Sequence, residues 1–568
     1  MNAFSPIEIE KLGPNYFDRS PFACALIVAA LLATLAIELY FFAHVQDIWL
    51  DESTQLSGIT LSFWEMLQWL AGADPDRLAV PGDRMPPVSY LLDWLWLHLY
   101  GPSEIGFRLF HSALVIAGLS WLAAVAWREL GRSATIVSLG FLVLSPKLIR
   151  TGVEIRAYPA FFAITCVQVA VFIQLVTRTT KINLKLLTIF GAICLVAIYT
   201  HFYGLVSSCA FFLALLIAFL RCYAALAKIV GAFLVVAMGS LPLIPFVSAA
   251  TQVAQFVPAT ATVPVITGET GILLYVSYLL NLVGDPANMI SNLASILYFC
   301  GAIALLAASI FAAVMRLRNR NSKPFDWLIS VVASGVFATF MASVLVKTFN
   351  PLTTTYSLWL LVPLSLLIGI AATSATGFRS WDVAGRKVAL AALLMGAGIS
   401  THIFFVHASM FVHGPQRFVG ALYDTSVGPK AIVYETGAAW GWSYIPLQYT
   451  HKGEVIQYRT PDDGIGLVRV GRRGTEATVA QEIEATVAPY QVLLLADIRL
   501  RTYRDLRQCQ KQPNACPDFP PGTIERALIR TGTWRKTGKE RSFGLYDSQV
   551  TILERAEGTR RTSSAINN

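Results

Sequence analysis

Two adjacent carboxylates, Asp51 and Glu52, follow the first long apolar run of the sequence, Phe22 to His44. Side chains of this type can take a proton from a hydroxyl group or bind a metal cation. They also commonly cap a helix where a membrane span returns the chain to water. The dipeptide alone therefore leaves two interpretations open, a site for acid–base or metal chemistry and a solvated helix cap.

The composition of the chain indicates a membrane protein with several spans. Of its 568 residues, 55% are hydrophobic and 14% are charged, and the mean hydropathy is +0.56. This is too apolar for a soluble protein and too long for a single membrane helix. The net charge of +9 would suggest nucleic acid in a soluble domain. Much of it lies in short loops between apolar runs, where it sets orientation, so nucleic acid is excluded as a partner.

Apolar runs of sufficient length predict about eleven transmembrane helices. The first lacks a small-residue cleavage site at its end, which predicts a retained helix and not a signal peptide. The eleven runs are residues 22–44, 106–127, 133–149, 157–176, 184–199, 203–220, 229–247, 291–315, 327–346, 356–373 and 388–406.

The distribution of positive charge predicts the topology. Lys and Arg cluster in alternate connections such as 316–323 and 379–387, whereas the long connection 248–290 contains neither. By the positive-inside rule the basic connections and the N-terminus are cytoplasmic, and the acidic pair lies outside. An odd number of helices then places the tail outside as well. Cys509 and Cys516 flank a short polar loop in this tail and suggest a disulfide, which needs an oxidising compartment.

Two Trp-rich amphipathic segments follow the acidic pair, Ile59 to Leu70 and Pro87 to Tyr100. Such segments are typical of helices that lie in the plane of the membrane interface. We expect them to wall an entrance to the carboxylates. The alternative, that the second is an ordinary short span, would change the helix count by one.

Two further turns on the predicted outer side hold candidate site residues. The turn 145–159 places Glu154 and Arg156 just before the next helix. Its basic residues lie on the side where the positive-inside rule disfavours them, which is typical of residues with a function. The turn 199–204 places His201 among aromatic residues. A histidine in that setting is more often structural, so both interpretations of His201 remain open.

The long apolar runs end before Met410, and in the remaining sequence charged residues and turns separate short apolar stretches. These stretches predict strands and a small α/β domain, so we expect a membrane domain over 1–408, with its first outer loop at 45–105, and an outer domain over 409–568. No P-loop or dinucleotide-binding motif is present in the sequence. A cytosolic nucleotide sugar is therefore not expected as a donor. The predicted strands are Lys430 to Tyr434, Val455 to Tyr458, Gln491 to Ala496 and Phe543 to Tyr546.

From Asp51 to about Gly204 the order of features resembles the GT-C fold glycosyltransferases that use polyprenyl-phosphate sugars. This superfamily includes protein O-mannosyltransferases, lipid A aminoarabinose transferases and bacterial lipopolysaccharide glycosyltransferases. The resemblance implies an all-α polytopic membrane domain with interfacial helices. The matching segments are Asp51-Glu52, Met85 to Leu92, Gly101 to Leu109, Leu144 to Pro146, Glu154 to Tyr158 and Tyr199 to Tyr203.

The resemblance also implies roles for individual residues. Asp51 would be the general base that deprotonates or orients the acceptor hydroxyl, with support from Glu52. Glu154 would supply the second acidic group, which in some relatives helps to bind a divalent cation; any such ion here would lie at Asp51 and Glu154. Substrate contacts would come from Tyr158, His201 and Tyr203.

A phosphate leaving group needs positive charge near its oxygens. Arg84 and Arg156 are the candidates, whereas Arg108 is expected to tie the second helix to the outer loop. Some relatives have an Arg-Tyr pair at the start of a later helix, and the corresponding stretch here, Thr353 to Tyr356, lacks the Arg.

The resemblance, together with these residues, implies transfer of one sugar from a polyprenyl-phosphate donor to an extracytoplasmic acceptor, with inversion, at the periplasmic side of a bacterial inner membrane. The expected acceptor is a glycolipid or lipopolysaccharide component, with protein Ser or Thr as the second possibility. A transporter or lipid flippase would show paired halves and interrupted midplane helices. Glu38 lies inside the first predicted helix, but no matching second half is present.

Overall fold

The computed structural model describes residues 21–46, 48, 50–73, 85–143, 145–177, 182–220, 222–255, 323–345, 354–373, 416–434, 454–457, 484, 487–500, 512, 519–542 and 546–556. The helices that lead into the candidate site are α1 (Pro21–Val45), α2 (Leu50–Gly58), α3 (Phe63–Leu70), α4 (Pro87–Tyr100), α5 (Glu104–Glu129), α6 (Arg132–Val143), α7 (Pro146–Thr151) and α8 (Ala157–Thr177). They are followed by α9 (Leu184–Thr200), α10 (Tyr203–Ala218), α11 (Tyr223–Ser240), α12 (Ile244–Gln255), α13 (Lys323–Leu345) and α14 (Leu361–Thr373), with short 3-10 turns at Leu241–Leu243 and Thr354–Leu360.

Four helical stretches in the described part of the chain are long and apolar enough to cross a membrane. They are Pro21–Val45, Glu104–Glu129, Ala157–Thr177 and Tyr223–Ala250. Shorter apolar helices, α6, α9 and α10 among them, accompany these four. The predicted helices at 291–315 and 388–406 lie outside the described residues, so the total of eleven spans stays a prediction.

The predicted helix over 133–149 is divided in the structure. It forms α6 and α7, and α7 begins at Pro146. Proline has no backbone N–H and cannot continue a helical hydrogen-bond ladder. Ser145 caps the new helix instead, since its Oγ accepts a hydrogen bond from the backbone N–H of Leu148 at 3.5 Å.

Helix α8 lies at the centre of the bundle, with a largely buried surface. It packs most extensively against α5. The two backbones approach closely at Gly118, where a Cβ atom would lie 2.7 Å from the Cα of Ala163. Helices α5 and α8 are therefore closely packed, and their ends lead into the segments of the candidate site.

The tail forms a five-stranded sheet with strand order β2-β1-β3-β5-β4. Strand β1 is parallel to β2 and β3, and β5 is antiparallel to β3 and β4. Three strands lie on or next to predicted stretches, and the first matches its prediction at both ends; the fourth predicted stretch begins outside the described residues and meets β5 at Tyr546. Strand β4 was not predicted, because its sequence is mostly charged. The elements are α15 (Gln416–Thr425), β1 (Lys430–Tyr434), β2 (Glu454–Gln457), β3 (Val492–Leu500), α16 (Thr523–Arg530), β4 (Trp534–Ser542) and β5 (Tyr546–Arg555).

Both faces of this sheet bury apolar side chains, because successive side chains of a strand point to opposite faces and both sets are apolar here. Ala431, Leu493 and Leu553 pack with α16 on one face. Ile432 and Leu494, on the other face, belong to one hydrophobic cluster with residues of α2, α3 and α4. The sheet is therefore part of the core that also contains α2, α3 and α4.

Candidate active site

The predicted acidic pair lies in the first turn of α2. Helix α2 begins five residues after the end of α1, so Asp51 and Glu52 start a separate short helix at one end of the bundle. The side chain of Asp51 lies outside the described residues, as do the whole of Arg84, Cys509 and Cys516. Their predicted roles stay predictions.

Glu52 is fully buried and forms a two-pronged ion pair with Arg108 of α5. The Nη1 and Nη2 atoms of Arg108 lie 2.7 and 2.8 Å from the two carboxylate oxygens. Arg108 also donates to Glu104 at 3.0 Å and to the backbone oxygen of Val153 at 3.0 Å. A planar guanidinium suits this arrangement, because its donors match the two oxygens of a carboxylate. Arg108 thus joins α5 to α2, the helix that contains the acidic pair.

The same carboxylate binds the segment that contains Glu154 and Arg156. Glu52 Oε1 accepts a hydrogen bond from the backbone N–H of Ile155 at 2.9 Å. Asp51 directly precedes Glu52 in the sequence, and Glu154 directly precedes Ile155. The backbones that bear the two predicted acidic groups are therefore held side by side, although about a hundred residues separate them. We call the contacts of Glu52 with Arg108 and Ile155 the Glu52 clamp.

Glu154 and Arg156 are both buried, each with 4% of its surface exposed. They lie in the short connection between α7 and α8, where the backbone N–H of Glu154 donates to the Thr151 oxygen at 3.2 Å. Buried charges of opposite sign at the end of a membrane bundle are costly and are typical of functional sites. Both residues therefore remain candidates for contact with a charged substrate.

Four aromatic rings from three segments surround His201. The ring of Phe161 stacks on the imidazole at 5.2 Å, and Tyr158, Tyr203 and Tyr356 lie between 5.4 and 5.8 Å from it. The structure therefore brings together the three predicted substrate-binding residues, Tyr158, His201 and Tyr203. It adds Tyr356, whose ring lies 6.0 Å from Tyr158 and 5.5 Å from Tyr203. In the sequence, Tyr356 was noted only because it corresponds to the Tyr of an Arg-Tyr pair in some relatives, and the Arg of that pair is absent here.

The imidazole of His201 has one partner and one buried atom without a partner. Its Nδ1 accepts the backbone N–H of Tyr203 at 3.1 Å, so the neutral ring has its proton on Nε2. Among the described residues, nothing bonds to that Nε2 atom. Burial, and secondarily the charge of Arg156, lower the pKa of His201 from 6.5 to about 3. His201 can therefore donate one hydrogen bond to a ligand oxygen at any ordinary pH.

Sequence reasoning missed a second buried polar group, formed by Gln55, Asp93 and His111. Asp93 accepts a hydrogen bond from the Gln55 side chain and lies 2.7 Å from the Nε2 of His111. One local signal was available, since Asp93 is the single acidic residue in the otherwise apolar helix α4. Nothing in the sequence pointed to His111 or Gln55 as its partners.

No cluster of three or more His, Cys, Asp or Glu side chains suited to a metal ion occurs in the part of the chain that the structure describes. The side chain of Asp51 is outside that part. Metal binding by Asp51 and Glu154 therefore stays a prediction.

Comparison with solved structures identifies the fold. ArnT from Cupriavidus metallidurans, in a crystal structure bound to undecaprenyl phosphate, matches with a TM-score of 0.51 and 11% sequence identity. The match covers 94% of this chain and 98% of ArnT. The chain has a GT-C fold. At this identity the likeness is one of fold, and it confirms the GT-C resemblance inferred from the first third of the sequence.

Other GT-C structures match less closely. The oligosaccharyltransferase AglB from Archaeoglobus fulgidus, in complex with an inhibitory peptide and a dolichol-phosphate, has a TM-score of 0.48 and 11% identity, over 85% of this chain and 70% of AglB. The arabinofuranosyltransferase AftD from Mycobacteria has a TM-score of 0.45 and 15% identity, over 94% of this chain and 40% of AftD. No protein-family model and no curated protein sequence matches the chain.

Proposed function

We propose that this chain is a membrane glycosyltransferase that transfers a sugar from a polyprenyl-phosphate donor to an extracytoplasmic acceptor, with inversion. The observation that carries the proposal is the Glu52 clamp, which holds the helix bearing Asp51 against the segment of Glu154 and Arg156. The buried cluster around His201 adjoins this segment, because Tyr158 contacts the imidazole. Undecaprenyl phosphate bound to ArnT supports a lipid-phosphate donor.

In the proposed reaction, Asp51 removes the proton from the acceptor hydroxyl as its oxygen attacks the anomeric carbon of the donor sugar. The new bond forms on the face opposite the phosphate, which inverts the configuration at that carbon. The bond between the carbon and the phosphate oxygen breaks, and the lipid phosphate leaves with the electron pair. General-base assistance of this kind contributes about a hundredfold to ten-thousandfold in rate.

The leaving phosphate needs donors that are in place before the bond breaks. Arg156 supplies a buried positive charge, and Arg84 is the second candidate. The Nε2–H of His201 supplies a neutral donor, since its pKa is too low for protonation at ordinary pH. Glu154 provides the second acidic group, at which a divalent cation would neutralise phosphate charge if the enzyme uses one.

We place the site at the outer face of a bacterial inner membrane, with the N-terminus in the cytoplasm and the sheet of the tail in the periplasm. A glycolipid or lipopolysaccharide component is the proposed acceptor. Trp64 on α3 and Leu99 and Tyr100 on α4 are 71%, 73% and 68% exposed. Exposed aromatic and aliphatic side chains of this kind suit helices in the membrane interface, where they would contact a lipid-borne substrate.

The proposal is tested by sugar transfer from radiolabelled polyprenyl-phosphate donors in membranes that contain the native chain, Asp51→Asn, or the control Asp424→Asn. Asp424 is an exposed residue of α15, so its replacement removes a solvent-exposed carboxylate that has no predicted role in the reaction. We expect label in a membrane acceptor with the native chain and the control, and at least a hundredfold less with Asp51→Asn at equal expression.

Three outcomes would change this conclusion. Equal transfer by Asp51→Asn would remove Asp51 from the chemistry. Label recovered in protein would replace the lipid acceptor by Ser or Thr. Movement of intact labelled donor across the membrane, without transfer, would favour a lipid flippase.

A further inference from the structure

A second polar network, which the proposed chemistry does not use, connects the helix of Asp51 to the bundle. The side-chain amide of Gln55 on α2 donates to Asp93 Oδ2 on α4, and Asp93 Oδ1 lies 2.7 Å from the ring Nε2 of His111 on α5. All three side chains are buried, with at most 1% of each residue exposed. We call this group the Asp93 relay.

The Asp93 relay runs beside the Glu52 clamp. Gln55 follows Glu52 by three residues on α2, and His111 follows Arg108 by three residues on α5. Residues three apart lie on the same face of a helix. Helix α2 is therefore tied to α5 twice on one face, directly by Glu52 and through Asp93 by Gln55.

Two contacts about one helical turn apart restrict the orientation of α2 more than a single contact does. A short helix held at one point can still rotate about that contact, whereas a second contact one turn away fixes its rotation. Helix α2 has only nine residues, and a helix of that length is marginal without tertiary contacts. The direction in which α2 presents its first turn is therefore set by both ties together.

The network is poorly suited to a purely stabilising role. Among the described residues, Gln55 Oε1 and His111 Nδ1 are buried atoms without a hydrogen-bond partner. Burying a carboxylate such as that of Asp93 also costs free energy, and apolar side chains of similar size often hold helices together at lower cost. What the polar arrangement adds is a fixed direction and distance between α2, α4 and α5.

We propose that Asp93, held by His111, is a positioning residue that fixes the rotation of α2 through Gln55 and so orients Asp51. Asp51 precedes Gln55 by four residues, about one helical turn. The inference rests on the proposed role of Asp51 as general base. It assigns Asp93 and His111 no contact with substrate.

The kinetic test compares two amides at position 111. In His111→Gln the side-chain amide nitrogen reaches about as far as the histidine Nε2, so it can still donate a hydrogen bond to Asp93. In His111→Asn the side chain is shorter, so its amide nitrogen cannot reach Asp93. We expect kcat to fall by about tenfold to a hundredfold in His111→Asn and in Asp93→Asn, with the KM for the lipid donor nearly unchanged. His111→Gln should stay close to the native kcat. An unchanged kcat in Asp93→Asn, or equal losses in both position 111 variants, would overturn the proposal.

A second measurement does not depend on activity. Hydrogen exchange of the α2 amides, in detergent-solubilised protein, should be about tenfold faster in Asp93→Asn than in the native chain. Ser208→Ala is the matched control, since it removes a buried hydrogen bond to Gln168 between α8 and α10, away from α2. Unchanged exchange of α2 would overturn the positioning role. Faster exchange in Asp93→Asn, together with a native chain that transfers no sugar, would support the relay and reject the role of Asp51.

Discussion

The carboxylate of Glu52 and the backbone N–H of Ile155 form a hydrogen bond of 2.9 Å that links the start of α2 to the connection before α8. The same carboxylate neutralises Arg108. Both oxygens of Glu52 are therefore engaged within the protein, which makes it a residue that positions its neighbours. The supporting role that the resemblance implied for Glu52 stays a prediction, as does the role of Asp51 as the base.

Removal of the cation in the Glu52 clamp should strongly destabilise the fold. Arg108→Leu leaves the buried Glu52 carboxylate without its partner, and we expect the free energy of unfolding to fall by about 3–5 kcal/mol. Arg108→Lys should recover only part of this, because one ammonium cannot form two parallel bonds. Unfolding in detergent measures the loss. The control is Arg535→Leu, an exposed strand residue, for which about 0.5 kcal/mol or less is expected; an equally small effect at Arg108 would contradict the clamp.

The lowered pKa of His201 predicts a specific loss of stability in acid. Its folded pKa, about 3, lies below the usual 6.5, so below pH 6.5 the unfolded chain binds a proton that the folded chain does not. Stability from this group is thus intact above pH 6.5 and falls by about 1.4 kcal/mol per pH unit as the pH drops towards 3. In His201→Asn the amide oxygen can replace Nδ1 as acceptor for Tyr203 and does not titrate.

The measurement is unfolding at pH 7 and pH 5 for both proteins. Between these values the native chain should lose about 2 kcal/mol more than His201→Asn. Equal losses would mean that His201 is accessible to protons in the folded state. Since His201 stays neutral in this range, the rate of sugar transfer should show no change between pH 7 and pH 5 that is due to protonation of His201.

The turn that holds His201 should not tolerate a side chain at Gly204. A Cβ atom there would overlap the backbone of Ala197, which cannot move aside as a side chain can. We expect Gly204→Ala to lower the free energy of unfolding by about 1–3 kcal/mol and to reduce transfer by displacing the turn. Gly231→Ala on α11 is the matched control, because, apart from the adjacent backbone of its own helix, no atom of the described residues lies within 4 Å of its added Cβ. That variant should be neutral or up to about 1 kcal/mol more stable.

The cysteines test the predicted topology. The chain has eight cysteines, and Cys24, Cys166 and Cys194 are buried. If Cys509 and Cys516 form the predicted disulfide, alkylation of the denatured chain should modify six thiols before reduction and all eight afterwards. The double variant Cys509→Ser with Cys516→Ser should show six in both conditions. Eight modified thiols without reduction would place the tail in a reducing compartment.

Local sequence determined most of the helical framework. The apolar run from Phe22 to His44 gives α1 to within one residue at each end, and the segment from Pro87 to Tyr100 matches α4 at both ends. Strand β1 was also located exactly where its short apolar stretch lies. Periodicity and length are properties of neighbouring residues, so they can be read without knowledge of the fold. The order of short motifs along the first third of the chain further indicated the GT-C fold.

The tertiary structure alone decided which side chains meet. Asp93 and His111 lie in different helices, and no local pattern pairs them. The same holds for Tyr356, which lies 155 positions after His201 in the sequence and reaches it because the 3-10 turn at Thr354–Leu360 packs against α8. Strand β4 has a charged sequence and forms because β5 offers it an edge for backbone pairing. Contacts between distant residues depend on how helices and strands pack, and a single sequence records those contacts only through the fold they produce.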